Sequence, residues 1–325
     1  MPQSVDAARV MQFADMTEAM FQQRMSRLKM SVQLKTGCIG TQVSFDLVGP
    51  SNMQDITGIR DGSTSWINVD HNRRWAPKSD FTHPVLLSRG DRLAAITDLQ
   101  SAYLRNGVMA AGRQLDKLLI DAATGTAVTG ETGGSTETFN TAAPATVPSA
   151  GGQQIAVGGT GLTIDKMRAV RGFFLAWDVG VDDLEMGTPG AFTWVTNGIG
   201  MQNLLSETEA TNRDYVGETG GRLPLENGMI PRFLGFDIRV VNQLNLLSGD
   251  SINLAWHRDA MGLGIWSGSA REQAEMDGSQ VTDSFVVTVD RLPEHNNARG
   301  VTVQGDFGAV RVQRNGVIAV VCDIG

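Results

Sequence analysis

The spacing of apolar residues predicts a helical start followed by an extended excursion. Over 5–35 apolar residues recur at helical spacing, which predicts an amphipathic helix. From 41 to 88 the pattern changes to short alternations at Val43–Leu47 and Trp66–Val69, separated by Gly and Pro, which predicts a two-stranded excursion. Because an isolated hairpin is barely stable in water, we expect this excursion to lie on another surface, such as a neighbouring subunit.

The clearest periodicity covers 89–123 and predicts one long helix. Its apolar residues step by three to five from Leu93 to Ala122, and Gly125 is suited to end it. At about 1.5 Å per residue, such a helix spans roughly 50 Å. This length predicts a spine for the fold, although Asn106-Gly107 weakens its centre.

The remainder of the chain predicts a loop followed by a mixed and then a β-rich part. Residues 122–161 consist mostly of Ala, Thr, Gly, Ser and Pro, which predicts a flexible segment without regular structure. A helix is expected after Thr163, and Asn315-Gly316 before the apolar run Val317–Cys322 predicts a closing hairpin. The other predicted elements are strands at 191–196, 236–241, 284–290, 301–304 and 309–312 and a short helix at 198–205.

Composition restricts the class of protein further. The 325 residues are 41% hydrophobic and 19% charged, which is typical of a globular protein. The formal net charge of −8 argues against a protein that coats nucleic acid through overall charge. Two distant cysteines exclude a disulfide framework and a four-cysteine zinc site. No apolar run is long enough to cross a bilayer, and no membrane partner is expected.

Candidate chemistry is sparse, and neither a cofactor nor a metal site is predicted. The four histidines have no metal-ligand spacing, and phosphate-loop and nucleophile-elbow motifs are missing from the sequence. His257, Arg258 and Asp259 are consecutive, and neighbours on a regular element point in different directions. Asp182, Asp183 and Glu185 match no calcium loop and are interpreted as a solvated acidic turn.

Short motifs in a fixed order resemble the major capsid proteins of tailed bacteriophages, which share the Hong Kong 97-type fold. The resemblance covers nearly the whole chain. Its carriers are Phe21-Gln22-Gln23 and Ser26-Arg27-Leu28, then Tyr103, Arg113, Asp116, Ala122-Ala123 and Gly125, then Leu225, Gly228, Ile230, Gly235-Phe236 and Ile238, then Asn253-Leu254-Ala255-Trp256 and Ala260-Met261, and finally Gly308-Ala309-Val310-Arg311, Gly316-Val317-Ile318 and Val320.

The resemblance implies an α+β fold with an N-terminal arm, an extended β-hairpin loop, a long spine helix, an axial domain and a β-rich peripheral domain. The implied boundaries are 1–40 for the arm, 41–88 for the extended loop, 89–124 for the spine helix, 125–161 for a flexible insertion, 162–247 for the axial domain, and 248–325 for a C-terminal part that returns to the peripheral strands.

The implied function is that of a structural, non-enzymatic protein. Copies form pentamers and hexamers of an icosahedral head around double-stranded DNA, in the virion and assembled in the host cytoplasm. The chain lacks the long helical leader of some relatives, so either a separate scaffolding protein assists assembly or the sequence is a mature form, and Met1 at the start favours the scaffold. A portal, possible decoration proteins and non-specific contact with packaged DNA complete the expected partners.

Two clusters of basic residues are candidates for contacts between subunits. The arm contributes Arg24, Arg27 and Lys29, and the excursion contributes Arg73, Arg74 and Lys78. Acidic surfaces of a neighbouring copy or packaged nucleic acid are the candidate partners, and a merely solvated face is the alternative.

Two other functions stay open at this point. An encapsulin-like compartment keeps the fold and encloses a cargo protein. A Gly-rich α+β enzyme requires a convergent site among Asp182, Asp183, His257 and Asp259.

Overall fold

The structure is a computed structural model, and it describes residues 22–55, 66–88, 99–144, 151–207, 228–266, 280–281, 285–295 and 297–324. The chain forms two compact units. The smaller unit contains Met1–Met25, Asp80–Arg113 and Ser267–Asp306, and the larger one contains Ser26–Ser79, Gln114–Trp266 and Phe307–Gly325.

Helices and strands are mixed along the chain, which confirms the α+β class. The α-helices are α1 (Leu99–Thr124), α2 (Ile164–Ala176), α3 (Val181–Glu185) and α4 (Gly198–Ser206). The strands are β1 (Gln33–Thr36), β2 (Gln42–Val48), β3 (His71–Pro77), β4 (Ser79–Leu87), β5 (Ala127–Thr129), β6 (Ser135–Glu137), β7 (Gln154–Ile155), β8 (Phe192–Thr196), β9 (Arg232–Phe233), β10 (Phe236–Val240), β11 (Leu246–Leu247), β12 (Asp250–His257), β13 (Met261–Ile265), β14 (Gln280–Val281), β15 (Val286–Leu292), β16 (Ala298–Arg311) and β17 (Val317–Cys322).

A seven-stranded sheet holds the main core of the larger unit. Its order is β7-β17-β12-β8-β10-β9, with β11 paired to β12. Strands β8 and β17 are buried at every position, as expected for strands covered on both faces. Helix α2 begins as predicted, because the Thr163 side chain accepts a hydrogen bond from the Lys166 backbone N–H. The core that contains α2 includes a cluster of aromatic rings, namely Phe174, Phe192, Trp194 and Phe236.

The excursion forms part of a second sheet with the order β2-β3-β5-β6. Strands β2 and β3 are antiparallel over their full length, from Gln42 opposite Pro77 to Val48 opposite His71. The predicted strand at Trp66–Val69 is wrong, because β3 begins only at His71. Strands β5, β6 and β7 lie within 125–161, so the prediction of a segment without regular structure is wrong for these residues. Pairing with β3 and β17 supplies the backbone partners that local sequence does not reveal.

In the smaller unit, β15 and the first part of β16 are antiparallel neighbours, and β14 extends the pair. Helix α1 confirms the predicted spine over 99–124, while 89–98 lie outside the described residues. A Cβ atom at Gly107 would lie 2.7 Å from a methyl carbon of Val303. Glycine at this point of α1 therefore allows close packing at the expense of helix propensity.

The predicted hairpin at Asn315-Gly316 is wrong. The chain does turn there, but β16 and β17 belong to different sheets. Gly316 accepts a hydrogen bond from the His257 backbone N–H at 3.0 Å, and a Cβ atom on it would lie 2.3 Å from the Ala260 methyl. Tertiary packing, which local turn propensity does not report, therefore directs β17 away from β16.

Candidate functional site

The described part of the arm is not helical, because α1 binds its backbone. Residues 22–28 are irregular, and a short 3-10 turn at Lys29–Ser31 leads into β1. The Asp116 carboxylate on α1 is fully buried. It accepts hydrogen bonds from the Ser26 hydroxyl at 2.6 Å and from the backbone N–H groups of Arg27 and Leu28 at 3.0 and 3.1 Å. These donors compensate for the burial of a charge and hold the chain in a non-helical path.

The three predicted basic residues of the arm lie beside this anchor. Arg24 and Arg27 are exposed, and Lys29 is half-buried. The Arg27 guanidinium donates to the backbone carbonyl of Val240. All three side chains stay at least partly accessible, as contacts to a neighbouring copy require.

The base of the excursion packs on its own subunit. Phe45 and Ala76 are buried with Ala127, Val310 and Val312.

Glycines in β13 make this packing possible. A Cβ atom at Gly262 would lie 2.6 Å from the Phe45 ring, and one at Gly264 would lie 2.6 Å from a methyl of Val43. Two glycines at alternate positions therefore form a flat surface for the excursion.

The outer part of the excursion has the opposite character. Val48 is 67% exposed, Met53 is fully exposed and Trp66 is 90% exposed. These three large apolar side chains of the excursion are thus left unburied by the subunit itself.

The three basic residues of the excursion occupy different environments. Arg73 is half-buried, forms an ion pair with Asp46 across the strands and lies over the Trp75 ring at 5.5 Å. Arg74 points to the opposite face and is only 6% exposed. Its guanidinium donates to the Val312 carbonyl at 3.2 Å and pairs with Glu137.

The period-2 alternation of a strand explains why these neighbours separate. Lys78 is half-buried, and its backbone N–H donates to the Thr41 carbonyl at 2.9 Å. Arg74 is thus placed inside the subunit, whereas Arg73 and Lys78 remain partly accessible.

Two buried cations hold the core together. The sequence analysis did not single them out as site residues. Arg311 on β16 donates to the carbonyls of Ala123, Gly125 and Glu137 at 3.0, 3.0 and 3.2 Å. It therefore caps the C-terminal end of α1 from within the core. Burial lowers its pKa to about 10, and the Glu137 carboxylate acts in the opposite direction. A charged residue after the apolar run 307–310 was the available sequence signal.

Lys166 has a similar role beside β17. Its Nζ atom donates to the carbonyls of Val157, Thr160, Gly161 and Val321 at 2.8 to 3.1 Å. These bonds hold the 157–161 loop against the last strand. In sequence, Lys166 looks like an ordinary residue of an amphipathic helix.

Some of the residues that the enzyme alternative requires lie close together. A cleft of about 450 Å³ is lined by Asp183, His257, Arg258 and Asp259. The chain turns at Arg258–Ala260, so the expectation that consecutive residues diverge is wrong here.

Both ring nitrogens of this histidine have partners within the subunit. The Nδ1 atom of His257 accepts from the Asp259 backbone N–H at 3.3 Å, and Nε2 lies 3.0 Å from an Asp183 carboxylate oxygen. Because no ring nitrogen of His257 is left for a substrate proton, this geometry favours a structural role over general acid–base catalysis.

The described residues offer neither a metal centre nor a membrane span. Among them, no three His, Cys, Asp or Glu side chains converge in a way that would hold a metal ion. Within the same part of the chain, none of the helices combines the length and hydropathy needed to cross a bilayer.

Comparison with solved structures defines the class of fold. The capsid of Ralstonia phage GP4 is 14% identical with a TM-score of 0.66, and the match covers 99% of this chain and 97% of that one. The capsid asymmetric unit of cyanophage Pam1 is 14% identical with a TM-score of 0.62, covering 100% and 99%. A structure of Mycobacterium phage Che8 is 16% identical with a TM-score of 0.60, covering 96% of each chain. The fold is therefore that of phage capsid subunits.

The family follows from the sequence itself. The model of the phage capsid protein family matches residues 5–324, so the chain belongs to that family. It is a structural major capsid protein of the phage head, which confirms the resemblance drawn from its motifs. No curated protein matches the chain in sequence.

Proposed function

We propose that copies of this chain assemble into pentamers and hexamers that tile an icosahedral head around double-stranded DNA. The observation that carries the proposal is the divided character of the excursion. Its base is buried on its own subunit through Phe45 and Ala76, while Val48, Met53 and Trp66 project exposed apolar surface. Apolar surface on an anchored extension is stabilised by burial against a neighbouring copy.

The proposal assigns the following domain boundaries. Residues 1–40 act as the arm, 41–88 as the extended loop and 89–124 as the spine helix. Residues 125–161 are the insertion, which contributes β5, β6 and β7 to the sheets of the larger unit. Residues 162–247 form the axial domain, and 248–325 return to the peripheral strands.

Five of the six predicted basic residues are suited to contacts between subunits. Arg24, Arg27, Lys29, Arg73 and Lys78 are all at least partly accessible. Arg74 supports these contacts indirectly, because its internal bonds hold β3 in place.

Further partners follow from this role. We expect a separate scaffolding protein during assembly in the host cytoplasm, a portal at one vertex, and decoration proteins as possible additions. Packaged DNA makes non-specific contacts with the inner surface. The chain itself has no catalytic task in this proposal, consistent with the occupied ring nitrogens of His257.

The structure suggests a clean test of the excursion. Gly49 and Asp70 already face each other, since the Gly49 N–H donates to the Asp70 carbonyl at 2.7 Å. Residues 50–69 can therefore be replaced by a two-residue Asn-Gly turn that keeps β2 and β3 in register. The parent chain, expressed with its genomic neighbours, should form megadalton shells in light scattering and electron microscopy. The shortened chain should fold and fail to close shells.

The matched control removes a comparable apolar side chain elsewhere. Met186 is 82% exposed, and Met186→Gln should assemble like the parent. Normal shells from the shortened chain would contradict the extended-loop assignment. Particles that enclose a cargo protein in place of nucleic acid would show a compartment and not a virus head.

A further inference from the structure

Two buried polar side chains on β12 carry atoms that the described residues leave without hydrogen-bond partners. Ser251 is 1% exposed, and Asn253 is completely buried. The Ser251 hydroxyl oxygen and both polar atoms of the Asn253 amide have no partner in the part of the chain that the structure describes. Nearly all buried polar groups in proteins are hydrogen-bonded, so three unpartnered atoms on one strand require a physical cause.

The two side chains lie on the same face of the seven-stranded sheet, because they are two residues apart on one strand. On the neighbouring strand β17, Cys322 is opposite Ser251 and Val320 is opposite Asn253. Cys322 and Val320 belong to the core that contains α2. The unpartnered atoms therefore form a small polar patch in the core, beside the end of β17.

The polar groups around this patch are engaged or weak. The Lys166 ammonium lies 3.9 Å from the Cys322 sulfur, but its three N–H bonds are directed to four backbone carbonyls. A thiol is only a weak donor and a weak acceptor. Burial raises the pKa of the Cys322 thiol, while Lys166 and the Asn253 amide beside it act in the opposite direction. The described groups around the patch thus supply no full partner for the amide.

We propose that Ser251 and Asn253 bind buried water between β12 and β17. Residues two apart on a strand are separated by about 6.6 Å, which is too far for a direct bond between short side chains. Two hydrogen bonds of about 2.8 Å through one water molecule span a separation of this order. Water donates and accepts at the same time, so it can join a hydroxyl to either end of an amide.

The chemistry of the patch favours water over an ion. Its oxygen and nitrogen atoms belong to neutral groups, and the Lys166 ammonium beside them repels a metal cation. All of the side chains that form the patch are buried, so a larger ligand has no route to it. Buried water of this kind typically makes about three hydrogen bonds to groups that the chain leaves unsatisfied.

The first test removes a single oxygen atom. Without bound water, Ser251→Ala deletes an unsatisfied group and should leave stability unchanged or raise it. With bound water, the variant loses a hydrogen bond, and the equilibrium constant for unfolding should rise about fivefold. Chemical unfolding of the unassembled full chain measures this constant. An unchanged or smaller constant would overturn the inference.

The second test asks whether both side chains bind the same water. In a double-mutant cycle, Ser251→Ala and Asn253→Ala should be non-additive, because the first change already weakens the bridge that the second removes. Ser31→Ala is the matched control, since this buried hydroxyl donates directly to the Leu28 carbonyl at 2.7 Å. Combined with Asn253→Ala, the control should be additive. Additivity of both pairs would refute a shared water molecule.

The third test distinguishes water from a small anion. Unfolding is compared in sodium chloride and in sodium acetate at equal concentration, for the parent and for Asn253→Ala. We expect the two proteins to respond equally to the change of salt. A chloride-dependent stability that is present in the parent and lost in the variant would indicate an anion beside Lys166 and would overturn the assignment to water.

A crystal structure or reconstruction of the parent that resolves ordered water provides the direct test. It should show a water oxygen about 2.7–3.2 Å from the Ser251 hydroxyl and from a polar atom of the Asn253 amide. A direct bond from the amide to another side chain, without water density, would contradict the inference, and this readout stands even if Asn253→Ala does not fold. The inference is independent of shell assembly, so a parent chain that never forms shells would contradict the proposed function alone.

Discussion

In the seven-stranded sheet, β8 and β17 are buried at every position, whereas β2 and β3 in the four-stranded sheet bury only Phe45, Arg74 and Ala76. Apolar residues and helices of the same subunit cover the first sheet. In the second sheet, only the base of the excursion is buried by the same subunit, and apolar side chains in the outer part of the excursion remain exposed. In the proposed shell, the first region stabilises the monomer and the second joins monomers.

The arginines also differ in how their polar atoms are satisfied. Arg311 and Arg74 are satisfied inside the subunit, whereas the buried Nη1 atom of Arg171 has no hydrogen-bond partner among the described residues. Groups that are satisfied internally should affect folding when they are changed. Groups that contact a neighbouring copy should instead affect assembly.

The largest effect is expected at Asp116. Asp116→Ala leaves the Ser26 hydroxyl and two backbone N–H groups without their acceptor in a site that is buried at Leu28 and partly buried at Ser26, which should lower the free energy of unfolding by about 3 kcal/mol. Asp116→Asn retains one acceptor oxygen and should lose less. Chemical unfolding followed by circular dichroism measures both. Equal stability of parent and Asp116→Ala would show that the start of the larger unit is held by other contacts.

The next test sets two adjacent arginines against each other. Arg74→Gln removes a buried ion pair and should lower the free energy of unfolding by about 2 kcal/mol. Arg73→Gln breaks an exposed pair, with an expected cost below about 1 kcal/mol. Arg73→Gln should instead make shell formation less sensitive to salt. An unchanged salt response, measured by light scattering from 0.05 to roughly 0.5 M salt, would remove Arg73 from the subunit contacts.

The last test compares two glycines, one packed against a side chain and one facing open space. Gly262→Ala forces a methyl group against the Phe45 ring and should destabilise the base of the excursion by about 1–3 kcal/mol. Gly172→Ala on α2 is its control, because a Cβ atom there meets nothing within 4 Å. Helix propensity predicts a gain of up to about 1 kcal/mol for the control. Thermal unfolding separates the two, and a neutral Gly262→Ala would show that the sheets do not pack as closely as their glycines permit.

Periodicity predicted the elements that depend on local pattern. The spine helix, the helix after Thr163 and the apolar strand at Val317–Cys322 were all expected, since each buries a continuous face. The arm was predicted as a helix and is irregular in its described part, because the carboxylate that binds it lies 90 residues further along the chain. The spacing of apolar residues within the arm carries no information about such a distant partner.

The predicted site residues show the same limit. The sequence placed Arg73 and Arg74 in one basic cluster, although strand alternation sends them to opposite faces. It gave no reason to connect Asn253 with Cys322, which lies beside it in the core and is distant in sequence. His257 and Asp183 were grouped only by the enzyme alternative, and in the structure they line one cleft with their side chains 3.0 Å apart.

By itself, the sequence determined the α+β class, the long helix, the buried strands and the family, because these follow from local periodicity and from the order of motifs. The tertiary structure decided that β16 and β17 enter different sheets, that β5 to β7 complete the sheets, and which cations are satisfied within the subunit. The physical reason is that backbone pairing and the solvation of a buried charge depend on atoms brought together from distant parts of the chain.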